Sequence, residues 1–393
     1  MKYAILPLFF AVMLCAQVTP EEFNTAMGLQ LFGDGSLWEE GASGLGARLK
    51  CRLASDGGEG VAHYSAYVNK LPCFSSKITQ IRINERSGKI VQVAFILGNK
   101  GDGTKETKSS AVKNTLKKEM KALQKSISGV LGKAGHGMLS LSGKNVSVEW
   151  WKIGDTAVVL DAESGEFIIL RFMALTTFET GVSRKEARQK VQAADLTKNI
   201  ERQENGDVFL RNIPMVDQGP KGYCAPASLE RIFLYLGIQG VDMHRIAEEA
   251  GTGIGGGTSV AELEKTAQKW GRRYGVSTQS ASFKFHSIQK AIDAGLPILW
   301  CMWSTTPFCE RANQNTHARQ TAISEQWLKT LKKQKRIKDV HEGPHVCLII
   351  GYNEQTKEIV VSNSWGQSPA AFWWVRMEDA EVVSRGKVVY LKP

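Results

Sequence analysis

Cys224 stands where an irregular chain gives way to a helix. Gln218-Gly219-Pro220-Lys221-Gly222-Tyr223 precedes it, and its glycines and proline keep the backbone out of helix. After it, Leu229, Ile232, Phe233 and Leu236 recur at helical spacing until Gly237 can end the run. Pro226 suits a first turn, where its missing N–H costs nothing. This pattern predicts a helix that opens at Cys224. The unpaired N–H groups and the dipole at such an end favour a thiolate, the nucleophilic form of cysteine. Gln218 lies shortly upstream, where its side-chain amide and the Cys224 N–H could together hold a developing oxyanion. The chemistry within reach of such a group is acyl transfer.

A thiolate nucleophile needs a base, and the base needs an orienting group. Gly343 to Tyr352 reads as a buried strand with His345 at its start, and Glu358 to Ser362 as the next strand, running into Asn363-Ser364-Trp365-Gly366. Asn353-Glu354-Gln355-Thr356 supplies the turn between them. The midpoint of 345 and 363 is 354, inside that turn, so a simple hairpin sets His345 and Asn363 opposite each other within a residue of register. Asn363 can then fix the imidazole tautomer.

These segments resemble those of the papain superfamily of cysteine peptidases. Gln218-Gly219, Gly222, Cys224 and Ser228 match its nucleophile segment, Asn363-Ser364-Trp365-Gly366 its asparagine segment, and His345 with Gly351-Tyr352 its histidine strand. Lys221 stands where such enzymes usually carry a second cysteine, and Ala225 where they carry tryptophan. Gly222 to Ser228, and the later Ala250-Gly251-Thr252 and Gly255 to Ser259, look more like the bacteriocin-processing (double-glycine) peptidases and their secreted relatives. The resemblance covers residues 208–393. It implies a two-lobed α+β fold, a helical lobe led by Cys224 and an antiparallel β lobe carrying His345 and Asn363. It also implies catalytic roles for Cys224, His345, Asn363 and Gln218, with no cofactor.

The elements that must position these residues occupy only half of the chain. A length of 393 residues suggests two domains. Residues 18–180 read as a separate α+β domain. Ile81 and Ile83, then Val91 to Leu97, alternate about a turn at Glu85 to Gly88, and a second hairpin is expected from Val146 to Phe172, turning at Glu163-Ser164-Gly165. Val112, Leu116, Met120, Leu123, Ile127 and Val130 mark an amphipathic helix with a lysine-rich outer face. Residues 181–207 are charged and read as a linker. The first domain has no catalytic constellation, and its place allows either a pro-segment or a standing accessory domain.

Met1 to Gln17 reads as a signal peptide, with Lys2 before an apolar run too short to span a bilayer. Secretion or a periplasmic address follows as an expectation, without a lipid anchor and without a transmembrane segment. In an oxidising compartment some cysteines should pair. Cys51 and Cys73, flanking an expected strand at Val61 to Val68, are the pair expected here. The net charge of +11 admits an anionic surface or cell-wall polymer as partner, while nothing specific to nucleic acid is present.

Gly251-x-Gly253-x-x-Gly256 imitates a dinucleotide fingerprint but follows a helical segment, not a strand, and reads as a loop bordering the cleft, with Thr258 or Ser259 capping the next helix. Cys301, Cys309, His317 and His341 lack metal-ligand spacing. Trp303 to Glu342 reads as an insertion that overhangs the cleft. The expectation is an exported cysteine peptidase acting on peptide or protein substrates. An acyl transferase or amidase on non-protein amides, and a silent binding module, remain as alternatives.

Overall fold

The computed structural model describes residues 18–393 apart from 57–60, 103–106, 142–143, 181–190, 192–194, 239, 320–324, 339–341 and 367. The fold is α+β, and the described strands form two sheets. The signal-like segment and residues 181–190 and 192–194 of the expected linker lie outside the described residues.

The first half opens with α1 (Pro20–Met27), which Thr19 caps in a reciprocal bond with Glu22, and α2 (Ala42–Arg48). Strands β1 (Arg52–Asp56), β2 (Val61–Cys73), β3 (Ser76–Arg86) and β4 (Lys89–Asn99) follow, then helix α3 (Ser109–Leu131). Strands β5 (Gly135–Leu141), β6 (Lys144–Ile153), β7 (Thr156–Glu163) and β8 (Phe167–Ala174), and helix α4 (Leu175–Thr180), complete it. The sheet runs β1-β2-β3-β4-β8-β7-β6-β5. Helix α3 buries Leu116, Leu123 and Ile127, one stripe of its surface, in the core on one sheet face. Both expected hairpins form, β3–β4 and β7–β8, but Val146 belongs to a third strand, β6.

The Cys51–Cys73 disulfide does not form, and both cysteines are buried and free. The reason is register. Arg52 pairs with Ser65 across β1–β2, while Cys73 ends the same strand well beyond Ser65. At about 3.3 Å per residue the two cysteines stand on the order of 20 Å apart, and a disulfide needs Cα atoms within about 7 Å. The strand expected to stop at Val68 continues to Cys73 and carries the partner away.

The second half begins earlier than Val208. From Leu196 the expected linker joins the second sheet, as β9 (Ile200–Arg202) and β10 (Asp207–Leu210), with the Glu204-to-Gly206 turn between them. Helices α5 (Cys224–Tyr235), α6 (Met243–Glu249) and α7 (Val260–Tyr274) form the helical lobe. Strand β11 (Ser277–Ser282), α8 (Phe285–Asp293), β12 (Ile298–Trp303), α9 (Thr306–Ala318) and α10 (Glu325–Lys333) lead to β13 (Pro344–Asn353). Strands β14 (Glu358–Ser362) and β15 (Phe372–Arg376), helix α11 (Met377–Val383) and β16 (Ser384–Lys392) close the chain. The sheet order is β11-β16-β12-β13-β10-β9, with β14 pairing β13 and β15.

The segment expected to overhang the cleft starts beside the His345 strand, where Ser304 N donates to Gly343 O at 2.7 Å. It then runs along β15. Trp373 Nε1 donates to Asn313 Oδ1 at 2.7 Å, Trp374 N donates to Thr316 Oγ1 at 2.8 Å, and Arg319 pairs with Asp207 and Glu358. These bonds make it a cover for the sheet.

The face of the first sheet opposite α3 is also buried, against the second half. Cross-strand pairing places Tyr67, Gln80 and Arg82 on that face with Ala94, Ile96, Ile169, Arg171 and Asp161. Arg82 pairs with Glu230 and Asp242, Arg171 with Asp161 and Asp242, and Arg245 with Asp161. All six side chains are at most 12% exposed, so the contact is a dry, charge-alternating seam.

Candidate active site

Helix α5 is buried on every side from Ala225 to Tyr235, including Glu230 and Arg231. Only Cys224, its first residue, is half-buried. Burial pushes the Cys224 thiol up, and the backbone N–H groups of Val346, Ala225 and Cys224 itself pull it back. Ser228, one turn along α5, donates to Val346 O at 3.2 Å. The residue after His345 is thus held against α5 by Ser228.

His345 is buried, and its Nε2 donates to Asn363 Oδ1 at 3.0 Å. A carboxamide oxygen only accepts, so this bond puts the proton on Nε2 and leaves Nδ1 as the basic nitrogen. Asn363 Nδ2 in turn donates to Ala370 O at 2.8 Å, and Trp365 stacks on the imidazole with centroids 5.0 Å apart. Burial lowers the His345 imidazole to about 4, opposed by the Asn363 bond. Taken singly, each group of the Cys224–His345 pair is driven toward its neutral form. A thiolate–imidazolium pair offsets both penalties, because each charge stabilises the other.

Gln218 is fixed at three atoms. Its N donates to Ser364 O at 2.9 Å, its Oε1 accepts from Ser364 Oγ at 2.6 Å, and its Nε2 donates to Lys221 O at 2.9 Å. An amide nitrogen has two hydrogens, so one remains for a ligand. Gly366 packs on the neighbouring Asp217; a Cβ there would come within 2.5 Å of Asp217 Oδ2. The glycine loop discounted as a nucleotide fingerprint lies behind the nucleophile segment. Gly257 N donates to Gly222 O at 3.0 Å, and a Cβ on Gly256 would sit 2.2 Å from Gly222 Cα. Ser259 caps α7, as expected.

Sequence reasoning missed Arg231. Its guanidinium is fully buried and meets neutral acceptors only: Pro214 O at 2.8 Å, Ser362 O at 3.2 Å, Asn363 O at 3.0 Å and Ser362 Oγ. It ties the nucleophile helix to the backbone that presents Asn363, and burial lowers it to about 10. The available signal was Glu230-Arg231 set inside a run of apolar residues. Lys221 was noted only as a departure. It is buried and within 3.2 Å of His244 Nε2, and burial lowers it to about 8. Among the described residues no group of three or more His, Cys, Asp or Glu could hold a metal, and no helix is long and apolar enough to cross a membrane.

Comparison with known proteins places the site in context. Residues 210–383 match the model of the Peptidase_C39 like family. No curated protein matches the chain. Among solved structures, xylellain, a cysteine protease from Xylella fastidiosa, aligns at 11% identity and a TM-score of 0.33, over 50% of this chain and 87% of that one. The family match takes in Cys224, His345 and Asn363 and leaves the first sheet outside. The carboxy-terminal half is therefore similar, over residues 210–383, to a family of cysteine-type peptidases.

Proposed function

We propose that the protein is an exported cysteine peptidase in which Cys224, His345 and Asn363 form the catalytic triad and Gln218 completes the oxyanion site. His345 Nδ1 takes the Cys224 proton, and the thiolate attacks the scissile carbonyl carbon. The carbonyl oxygen becomes an oxyanion held by Gln218 Nε2 and the Cys224 N–H. As the C–N bond breaks, the imidazolium protonates the leaving amine, which leaves an acyl-enzyme. Water, activated by His345, attacks this thioester and regenerates the thiol, releasing the acid. Asn363 keeps the proton on Nε2 throughout.

One observation carries the reading. The junction of α5 and β13 supports it, where Ser228, one turn along from Cys224, donates to Val346 O at 3.2 Å and the neighbouring His345 bonds Asn363 at 3.0 Å. Export rests on the apolar leader, and a peptide substrate on the family match. The net charge of +11 supports an anionic wall or surface as the place of action.

The test is hydrolysis of labelled casein and of cell-wall amides by purified protein beside its Cys224→Ala variant. Peptide hydrolysis lost in the variant is expected, with an unchanged thermal melt. Retained activity removes Cys224 as nucleophile, and cleavage of wall amides alone makes the enzyme an amidase.

A further inference from the structure

The first domain meets the second at the turn that carries Gln218. Tyr67 Oη donates to Asp217 O at 2.9 Å, and Gln80 Nε2 reaches the same oxygen at 3.5 Å. The Tyr67 ring lies on Gly219, whose φ is +63°; a Cβ there would be 2.1 Å from the ring. Asp217 Oδ1 accepts from Gly219 N at 2.8 Å and closes the turn from inside. On the far side Gly366 presses on Asp217. Lys221, whose carbonyl accepts from Gln218 Nε2, has its ammonium 5.4 Å from the Tyr67 ring centroid. Gln218 therefore sits between a tyrosine of one domain and the Ser364-to-Gly366 turn of the other.

Two further contacts reach the nucleophile segment from the first domain. Gly255 N donates to Lys100 O at 3.3 Å, and Gly101 packs so closely on Tyr223 that a Cβ would come within 2.7 Å of its ring. Tyr223 is the residue before Cys224. The buried seam around Arg82, Arg171 and Asp242 fixes the sheet that presents all these groups.

We propose that the amino-terminal domain is a standing part of the catalytic apparatus, in which Tyr67 is a positioning residue that holds the Asp217-to-Gly219 turn and so aims the Gln218 amide at the oxyanion. This rests on the reading of Gln218 as oxyanion donor. A removable pro-segment would free the site on leaving. Loss of this domain instead leaves the turn without its ring and its hydrogen bond.

The test uses the full chain and p-nitrophenyl acetate, which acylates an active thiol without peptide specificity. The burst amplitude counts acylated Cys224, and the saturating burst rate reports the oxyanion site. Tyr67→Ala is expected to slow the burst about tenfold at unchanged half-saturation, since small displacements of a positioned group cost rate. Tyr67→Phe keeps the ring and loses the hydrogen bond, and should recover to within about threefold of the parent, the scale of one neutral hydrogen bond. Gln218→Ala slows it about a hundredfold, and adding Tyr67→Ala to it should cost nothing more. An unchanged burst in Tyr67→Ala, or an equal fall with and without Gln218, overturns the proposal. If Tyr67→Ala does not fold, Tyr67→Phe is read in its place: a slowing of about threefold that vanishes beside Gln218→Ala supports the proposal, and no slowing, or the same slowing beside Gln218→Ala, overturns it. A burst that survives Cys224→Ala defeats instead the thiol assignment beneath it.

Discussion

His345 and Asn363 meet on a diagonal of the β13–β14 hairpin, not directly across it. Leu348 pairs with Ser362 and Ile349 with Val361, which sets Cys347 opposite Asn363 and His345 two residues further along. An even offset keeps both side chains on one face of the sheet. The register shifts by one between Ile349 and Gly351. Without that bulge Asn363 would stand opposite Leu348, whose side chain points to the other face. The bulge decides which side of the sheet the asparagine shares with the histidine.

Asn363→Ala removes the acceptor that keeps the proton on Nε2. We expect turnover on labelled casein to fall by roughly a hundredfold or more, while small alkylating reagents still modify Cys224. A turnover number equal to that of the parent would dismiss the orienting role.

Arg231→Met leaves three backbone carbonyls and a hydroxyl without their buried donor. Each orphaned group costs about 1–3 kcal/mol, so a loss of roughly 3 kcal/mol or more is expected in urea unfolding. A midpoint within experimental error of the parent would show that water replaces the guanidinium.

His345 should titrate near 4 in the Cys224→Ala variant, where no thiolate is present to raise it. The unfolded chain, at the ordinary value of 6.5, binds its proton first as the pH falls. The contribution is therefore fully present above 6.5 and is lost progressively down to about 4, by roughly 3 kcal/mol in total. Unfolding free energies across that range, compared with Cys224→Ala/His345→Gln, isolate it. Parallel curves for the two proteins would contradict the buried neutral imidazole.

Native alkylation should modify Cys224 first and Cys309 second, the two half-buried thiols. Cys51, Cys73, Cys301 and Cys347 are buried, and burial pushes Cys51 and Cys301 up to about 12. Mass mapping should find these four unmodified until denaturant is added, and the melt unchanged by reductant. A Cys51–Cys73 crosslink in oxidised protein would reverse this.

The nucleophile helix was legible because Pro226, Gly237 and the apolar spacing between them act locally. The His345–Asn363 encounter was legible in outcome but not in register, since a bulge at Ile350 leaves no mark in the alternation of a fully buried strand. The Cys51–Cys73 pairing fails because β2 runs past Val68 to Cys73 and carries the second cysteine away from the first. The domain contact was present as a signal that went unread. Residues 93–97 and 167–173 are nearly continuous apolar runs, the pattern of strands covered on both faces. Arg171 stands inside one of them and marks the covered face. Tyr67 was not legible, because its partner is a backbone carbonyl that carries no residue type.

The charge seam has a consequence for the order in which the molecule is made. Arg82, Asp161 and Arg171 emerge from the ribosome before Glu230, Asp242 and Arg245. The first sheet can therefore be complete, with its Arg171–Asp161 pair closed, while the nucleophile helix is still unsynthesised. The later half then assembles on a finished surface whose charges already prescribe where Glu230 and Asp242 must go. The earlier half thus offers the later one a surface whose charges fix the places of Glu230 and Asp242, and with them the helix that opens at Cys224.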